Sequence, residues 1–340
     1  MSRLDGSALN ILTWHIHGTY LQMLGSVDHR IHVAVKDGRP PRFAGLPPGR
    51  EWPSNLTEVP ADEVAGLELD CVLFQSDENW LVDQHEVLTE DQRRLPRLYL
   101  EHDPPGHDGD SCFSSRHPVD DPDVRIVHVT HFNDLMWDSG EAPTTVIEHA
   151  VPDRGAVYHG GLERGLVVVN NLARRGRRLG RDLYEQVRDE VPLDLVGMGS
   201  FEVAGGIGEV PPDELSVFAA RYRFFFHPIR YTSLGLALCE AMMMGMPVVA
   251  LATTEAVTVI EDGVSGFIST DIDHLIDGMH QLLAHPEVAR EMGRAARQIA
   301  LDRFAMSRFA AEWTSLISQT VTGGSLAVLG DGEFDHGRIG

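Results

Sequence analysis

Short apolar runs alternate with amphipathic stretches along this chain, which predicts strands and helices taking turns. In the first half, strand-like runs fall at 9–14 (LNILTW), 31–35, 69–75 (LDCVLFQ), 97–100, 124–130 and 146–152. In the second half they fall at 165–170 (GLVVVN), 193–199, 224–226, 247–250 and 267–268. Those at 165–170 and 224–226 are continuously apolar rather than alternating, the mark of parallel strands covered on both faces. Helical spacing appears around Leu21, Leu24 and Val27, over 80–95, around Leu183, Val187 and Val191, and over 211–220. Leu236, Cys239, Met243 and Met244 recur at i, i+3, i+7 and i+8, one helical face opened by Gly235 and closed by Gly245. Three helices follow, over 272–283, 286–303 and 306–317, while 37–55 and 106–123 read as loops. The class is α/β.

With 340 residues the chain is long for one hydrophobic core, so two domains are expected. The boundary is set near 153, giving domains over 1–153 and 154–318, with a Gly-rich, polar and mobile tail over 319–340. A net charge of −23 argues against nucleic acid as a partner and against anionic lipid surfaces. No apolar run reaches the length of a membrane span, so no integral membrane segment and no signal peptide are expected. Cys71, Cys112 and Cys239 are an odd set without metal-type spacing, which suits a reducing, cytoplasmic setting.

Candidate chemistry concentrates in 224–268, where a strand, a loop, a helix and a second strand follow one another. In a parallel sheet such a unit presents its loop and helix N-terminus at the carboxyl edge, where open α/β sheets bind ligands. Glu240, inside that helix, reads either as an acceptor for a ribose diol or as a solvated helix glutamate. Gly18 follows the first strand and lets a ligand approach the backbone. His102 follows the fourth. Arg174, Arg175, Arg177, Arg178 and Arg181 form the one concentrated basic patch, suited to phosphates or to solvent. The pairs His15–His17 and His128–His131 lack a third ligand at zinc-site spacing, so no metal is expected.

The stretch 227–250, HPIRYTSLGLALCEAMMMGMPVVA, resembles the donor-site signature of retaining GT-B glycosyltransferases of the family 4, or group 1, type. That signature reads roughly P-S-x-x-E-G-F-G-L-x-x-x-E-A-M-A-x-G-x-P-V-V-A. Pro228, Gly235, Leu236, Glu240, Ala241, Met242, Gly245 and 247–250 fall in register, and EDGVSGF at 261–267 matches the turn beyond it. The resemblance implies two Rossmann-like domains facing across a cleft. It implies transfer of a sugar from a nucleotide-diphosphate-sugar donor to a hydroxyl acceptor, itself unidentified, with retention and without a required metal or other cofactor. By the same resemblance Glu240 holds the ribose, and Thr232, Ser233, Leu234 and Gly235 meet the donor. Gly18 contacts the diphosphate or the acceptor, Gly197 and Gly199 pack by base or phosphate, and His102 lies at the donor sugar. The last helix, with Trp313, crosses back to the first domain.

The sequence also departs from that signature. Thr232 stands where the first of two glutamates is expected, and Asn171 stands where an arginine clamps the diphosphate. Arg174 or Arg177 is the expected substitute. Thr254-Glu255 replaces a glycine pair, and Glu255 reads either as a restored carboxylate in the site or as a surface loop residue. Two further readings accompany transfer: a sugar-nucleotide epimerase or phosphorylase on the same fold, and a non-catalytic nucleotide-sugar-binding protein.

Overall fold

The computed structural model describes residues 8–106 and 115–323. Cys112 and most of the expected tail lie outside these residues.

The first sheet is formed by β1 (Asn10–Thr13), β2 (Arg30–Val35), β3 (Leu56–Pro60), β4 (Cys71–Phe74), β5 (Arg97–Glu101), β6 (Val124–His128) and β7 (Thr144–Val146). Its strands run in the order β3-β2-β1-β4-β5-β6-β7, and every neighbouring pair is parallel. The second sheet holds β8 (Leu162–Val168), β9 (Leu193–Val196), β10 (Tyr222–His227), β11 (Val248–Leu251) and β12 (Gly266–Ser269), ordered β12-β11-β10-β8-β9 and again wholly parallel. Both orders are doubly wound, with direction reversing between β1 and β4 in one sheet and between β8 and β10 in the other. At such reversals the loops leaving two adjacent strands part and open a crevice.

The helices are α1 (Gly18–Leu24), α2 (Gln84–Val87), α3 (His131–Met136), α4 (Leu172–Arg175), α5 (Arg181–Arg188), α6 (Pro212–Ala219), α7 (Leu236–Met243), α8 (Ala256–Val259), α9 (Ile272–Ala284), α10 (Pro286–Arg303) and α11 (Met306–Thr322). Each sheet has an apolar cluster on either face. Phe224 and Phe226 point to one side of the second sheet and Phe225 to the other, as a doubly covered strand requires. Phe309, Trp313, Leu316 and Ile317 of α11 join the cluster under the first sheet, where Trp313 Nε1 donates to Tyr20 Oη at 3.3 Å. None of the described helices is long and apolar enough to cross a membrane.

Four expectations are corrected. Strand β3 was not anticipated: in LTEVP only Leu56 and Val59 are buried, because β3 is an edge strand, and Pro60 ends it. The helix expected over 80–95 breaks at Leu88, whose backbone is extended (φ −93°, ψ 139°). There Thr89 N–H donates to the Gln92 side chain and Gln92 N–H to the Thr89 hydroxyl, local bonds that compete with a continuing helix. The strand expected over 146–152 pairs only at its start, since β7 ends at Val146. Residues 319–322, expected in the tail, belong to α11, which runs on to Thr322 with Val321 packed against the first core.

Candidate active site

The loops that follow β1 and β5 in the first sheet face those that follow β8, β9 and β10 in the second. They enclose a cavity of about 430 Å³ lined by His17, Gly18, His102, Thr232, Ser233 and Gly235 among others. A second cavity, about 180 Å³, is lined by Arg50, Arg154 and Glu240. Thr19 lines both, so they are two ends of one cleft running along α7.

His102 stands just beyond β5. Its Nε2 lies 3.0 Å from Gln75 Oε1. The Gln75 amide nitrogen is committed as donor to Thr13 Oγ1 at 2.8 Å and to the Trp14 carbonyl at 2.9 Å. Gln75 Oε1 therefore accepts, His102 carries its proton on Nε2, and Nδ1 is left with a lone pair. Burial, reinforced by neighbouring His17 and His149, holds His102 well below the usual histidine range, so the ring is neutral. His17 and Tyr20 pack edge-on against it at 4.4 and 4.9 Å between ring centres. The backbone on either side is braced. Glu101 accepts from Asp103 N–H at 2.9 Å and from His117 Nε2 at 3.2 Å, while Trp137 Nε1 donates to the Asp103 carbonyl at 2.9 Å.

On the opposite wall, the loop from β10 brings Thr232 and Ser233 to the cavity and ends at Gly235. Gly235 has φ +96° and ψ 116°, a conformation that side chains disfavour. The N–H groups of Leu238 and Cys239 bond the Gly235 carbonyl, whereas those opening the helix, as at any helix start, have no partner within it. The side chain of Leu234, expected to meet the donor, turns away into the core at 2% exposure, and Leu234 lines neither cavity. Helix α7 is buried nearly all round rather than on one face, with Leu238, Cys239, Ala241, Met242 and Met243 enclosed. Glu240, one turn beyond Leu236, faces the second cavity. Burial pushes its carboxyl up to about 7, against the opposing pull of Arg154 and Arg50.

Gly197 and Gly199 form the turn after β9, and Met198 between them lines the first cavity. A β-carbon on Gly197 would stand 2.5 Å from the Val169 carbonyl, so only glycine permits this approach. Asn170 Oδ1 accepts from Met198 N–H at 2.9 Å, and Asn171 N–H donates to the Met198 carbonyl at 2.6 Å. Asn171 adopts a left-handed backbone (φ 54°), which asparagine tolerates better than arginine. It thus secures the glycine turn.

Arg174 and Arg177 are exposed and line neither cavity. Arg177 is ion-paired with Asp182, which Arg230 also clasps at 2.6 and 3.0 Å. Asp182, in the first turn of α5, neutralises part of the patch that the sequence presents as wholly basic. Glu255 fits neither of its two expected readings. It is 2% exposed and bound to Phe132 N–H, Arg303 and Thr258, away from the cavities. Sequence reasoning missed Arg50, Arg154 and His149: Arg50 sits in a Pro/Gly-rich loop and Arg154 in the linker, with no pattern to mark them. Among the described residues no three histidine, cysteine or acidic side chains gather as a metal site.

Residues 205–299, from the turn after β9 into α10, match the family model described as Glycosyl transferases group 1. The matched stretch carries the likeness to that family. It contains Glu240, the whole β10–α7 loop and the 261–267 turn. The chain is 28% identical over 242 residues to the GDP-mannose-dependent alpha-(1-6)-phosphatidylinositol monomannoside mannosyltransferase of Mycolicibacterium smegmatis, covering 58% of this chain and 63% of that protein. It is 32% identical over 162 residues to the trehalose synthase of Thermococcus litoralis, covering 40% of this chain and 39% of that enzyme. The chain therefore spans less than two thirds of the length of either relative.

Solved structures extend the likeness to the whole fold. Sucrose-phosphate synthase from Thermosynechococcus elongatus superposes with a TM-score of 0.70 at 14% identity, covering 93% of this chain and all of that one. Anabaena HepE in complex with UDP and glucose gives 0.68 at 15% identity, covering 91% and 99%. With two doubly wound sheets facing across a cleft, the fold is GT-B.

Proposed function

We propose that this chain is a retaining glycosyltransferase, moving a sugar from a nucleotide-diphosphate-sugar donor to an acceptor hydroxyl. One observation carries the reading: a group 1 segment places Glu240 at one end of an inter-sheet cleft whose other end holds a neutral, tautomer-fixed His102. In this reading the Glu240 carboxylate accepts from the ribose diol. Thr232, Ser233 and His102 hold the sugar through uncharged hydrogen bonds. The first N–H groups of α7 face the departing diphosphate, whose charge must be stabilised as the glycosidic bond breaks. Retention is included because the motif at 227–250 resembles that of retaining enzymes. The setting is cytoplasmic, and no metal is assigned a role.

The names of a similar protein and of a solved structure of like fold, Anabaena HepE in complex with UDP-glucose, supply first donors to try, GDP-mannose and UDP-glucose. Purified protein is incubated with each donor and a panel of lipid-linked and free sugar acceptors. Release of nucleoside diphosphate is followed, and the product's anomeric configuration is read by NMR. Acceptor-dependent release with an unchanged anomeric configuration supports the proposal. Conversion of the donor without any acceptor favours an epimerase. A second reading, binding without catalysis, is favoured by Thr232 and Asn171 where charged residues are expected. Saturable donor binding with neither hydrolysis nor transfer on any acceptor would establish it.

A further inference from the structure

A diphosphate needs positive charge near it, and this chain carries a net charge of −23. The basic patch at 174–181 is poorly placed to supply it. Arg174 and Arg177 stand outside both cavities, and Arg177 already shares Asp182 with Arg230.

Two other guanidinium groups do reach the cleft. Arg50, from the loop between β2 and β3, lines the cavity that holds Glu240. Its Nη1 is buried without a hydrogen-bond partner, and its Nη2 reaches Thr19 Oγ1 only at 3.5 Å. The group lies against Gly18, where a β-carbon would come within 3.2 Å of Nη1, so the guanidinium and the Gly18 backbone share one wall. Arg154, in the linker between the two sheets, lines the same cavity. Among the described residues neither arginine forms an ion pair with a carboxylate. The buried, unsatisfied donor on the charged Arg50 is costly, and an anion entering the cleft would relieve that cost, whereas Arg154 is exposed at the cleft wall and offers its charge without that cost. Thr19, beside Arg50, lines both cavities and marks the middle of the cleft, between the Glu240 end and the His102 end.

We infer that Arg50 and Arg154, rather than the arginines at 174–181, neutralise the diphosphate of the donor. The inference rests on the nucleotide-sugar reading above. It assigns the charge to the first domain and the linker, while the second domain supplies the ribose acceptor. A bound nucleotide then bridges the two halves of the molecule. The pull of both arginines on the Glu240 carboxyl, opposing its burial, agrees with their facing the same space.

The test is calorimetric binding to the intact protein. The wild type is screened with UDP, GDP, ADP, TDP and CDP, and the tightest ligand is compared with its parent nucleoside. Arg50→Gln and Arg154→Gln are then measured beside the double variant Arg174→Gln/Arg177→Gln, with the melting temperature of each unliganded variant as a check on folding. Arg50→Lys, which keeps the charge but loses the fork, is expected between wild type and Arg50→Gln. The inference expects each of the first two variants to weaken the diphosphate by about tenfold or more, with nucleoside affinity unchanged and the double variant binding like wild type. Wild-type diphosphate affinity in folded Arg50→Gln and Arg154→Gln overturns the inference and leaves the functional reading standing. So does a loss confined to the double variant. Failure of the wild type to bind any nucleoside diphosphate removes both.

Discussion

The Glu255 carboxylate, on the loop after β11, accepts a 2.8 Å hydrogen bond from the backbone N–H of Phe132, 123 residues earlier at the start of α3. The same carboxylate takes Arg303 Nη2 at 2.9 Å and Thr258 Oγ1 at 2.7 Å, and Arg303 in turn holds Glu148 at 2.5 Å. With Tyr231 Oη donating to the Pro105 carbonyl at 2.9 Å, this ties the loops of the two sheets together beside the cleft. A residue that the sequence offers as either a ligand contact or a surface group is instead a buried latch between domains.

Replacing Glu255 by Ala leaves the Phe132 N–H and part of Arg303 without a partner. The expected loss of stability is about 2–4 kcal/mol, tempered because Glu148 still pairs with Arg303. Glu255→Gln, which keeps an acceptor, is expected to lose less. Denaturant unfolding measures both, and a variant as stable as wild type would show that the latch contributes nothing.

Glu240 makes both stability and binding depend on pH near neutrality. Its carboxyl titrates at about 7 in the folded chain against 4.5 when exposed. Between those values the folded state holds the extra proton, so this contribution is fully present below 4.5 and is lost as pH rises through 7. It amounts to about 3 kcal/mol. Glu240→Gln should therefore gain on wild type in melting temperature between pH 5 and 8. Nucleoside diphosphate should bind wild type more tightly above pH 7, where the carboxylate is ionised. The variant should bind weakly at every pH and no longer distinguish ribose from 2′-deoxyribose. Discrimination that survives the substitution rules out Glu240 as the diol acceptor.

His102 is neutral well below pH 6.5. Its protonation therefore leaves no limb in kcat between pH 7.5 and 6, whereas the KM for the donor rises as Glu240 takes its proton. His102→Ala is expected to lower kcat by about 100-fold through a misplaced sugar. Gln75→Leu, which removes the acceptor fixing the His102 tautomer, should act in the same direction with less effect on donor affinity. A kcat limb near 6.5 that disappears in His102→Ala would contradict the neutral-ring assignment.

Three buried histidines away from Gln75 make the fold acid-sensitive. Burial holds His128, His149 and His227 down to about 4, while the unfolded chain titrates near 6.5. Their contribution is present above pH 6.5 and is lost as pH falls toward 4, because the unfolded chain then binds protons that the folded chain refuses. Each is worth about 3 kcal/mol at most, and together they outweigh the single opposing Glu240. Both ring nitrogens of His128 lack a hydrogen-bond partner, so His128→Leu should flatten the fall in melting temperature from pH 6.5 to 4.5. An unchanged slope would mean that His128 protonates freely in the folded chain.

The sequence by itself determined the strand-helix order, the parallel sheets and the position of Glu240 on the helix after Gly235. These are written in neighbours: Phe224, Phe225 and Phe226 must be covered on both faces, and the spacing of Gly235, Glu240 and Gly245 is set by one helix. Edge strand β3 and the break at Leu88 were hidden because one buries only two of its side chains and the other depends on a local Thr89–Gln92 exchange. The charge pattern of the site was decided only by tertiary structure. Asp182 and Arg230, 48 residues apart, engage the patch that looked free to bind phosphate, while Arg50 and Arg154 arrive at Glu240 from another domain and a linker. Periodicity records which residues are adjacent along the chain and which face they share. It carries no record of which distant charges a closed cleft brings within reach of one another, and Coulomb interactions there depend on that distance and on the water excluded.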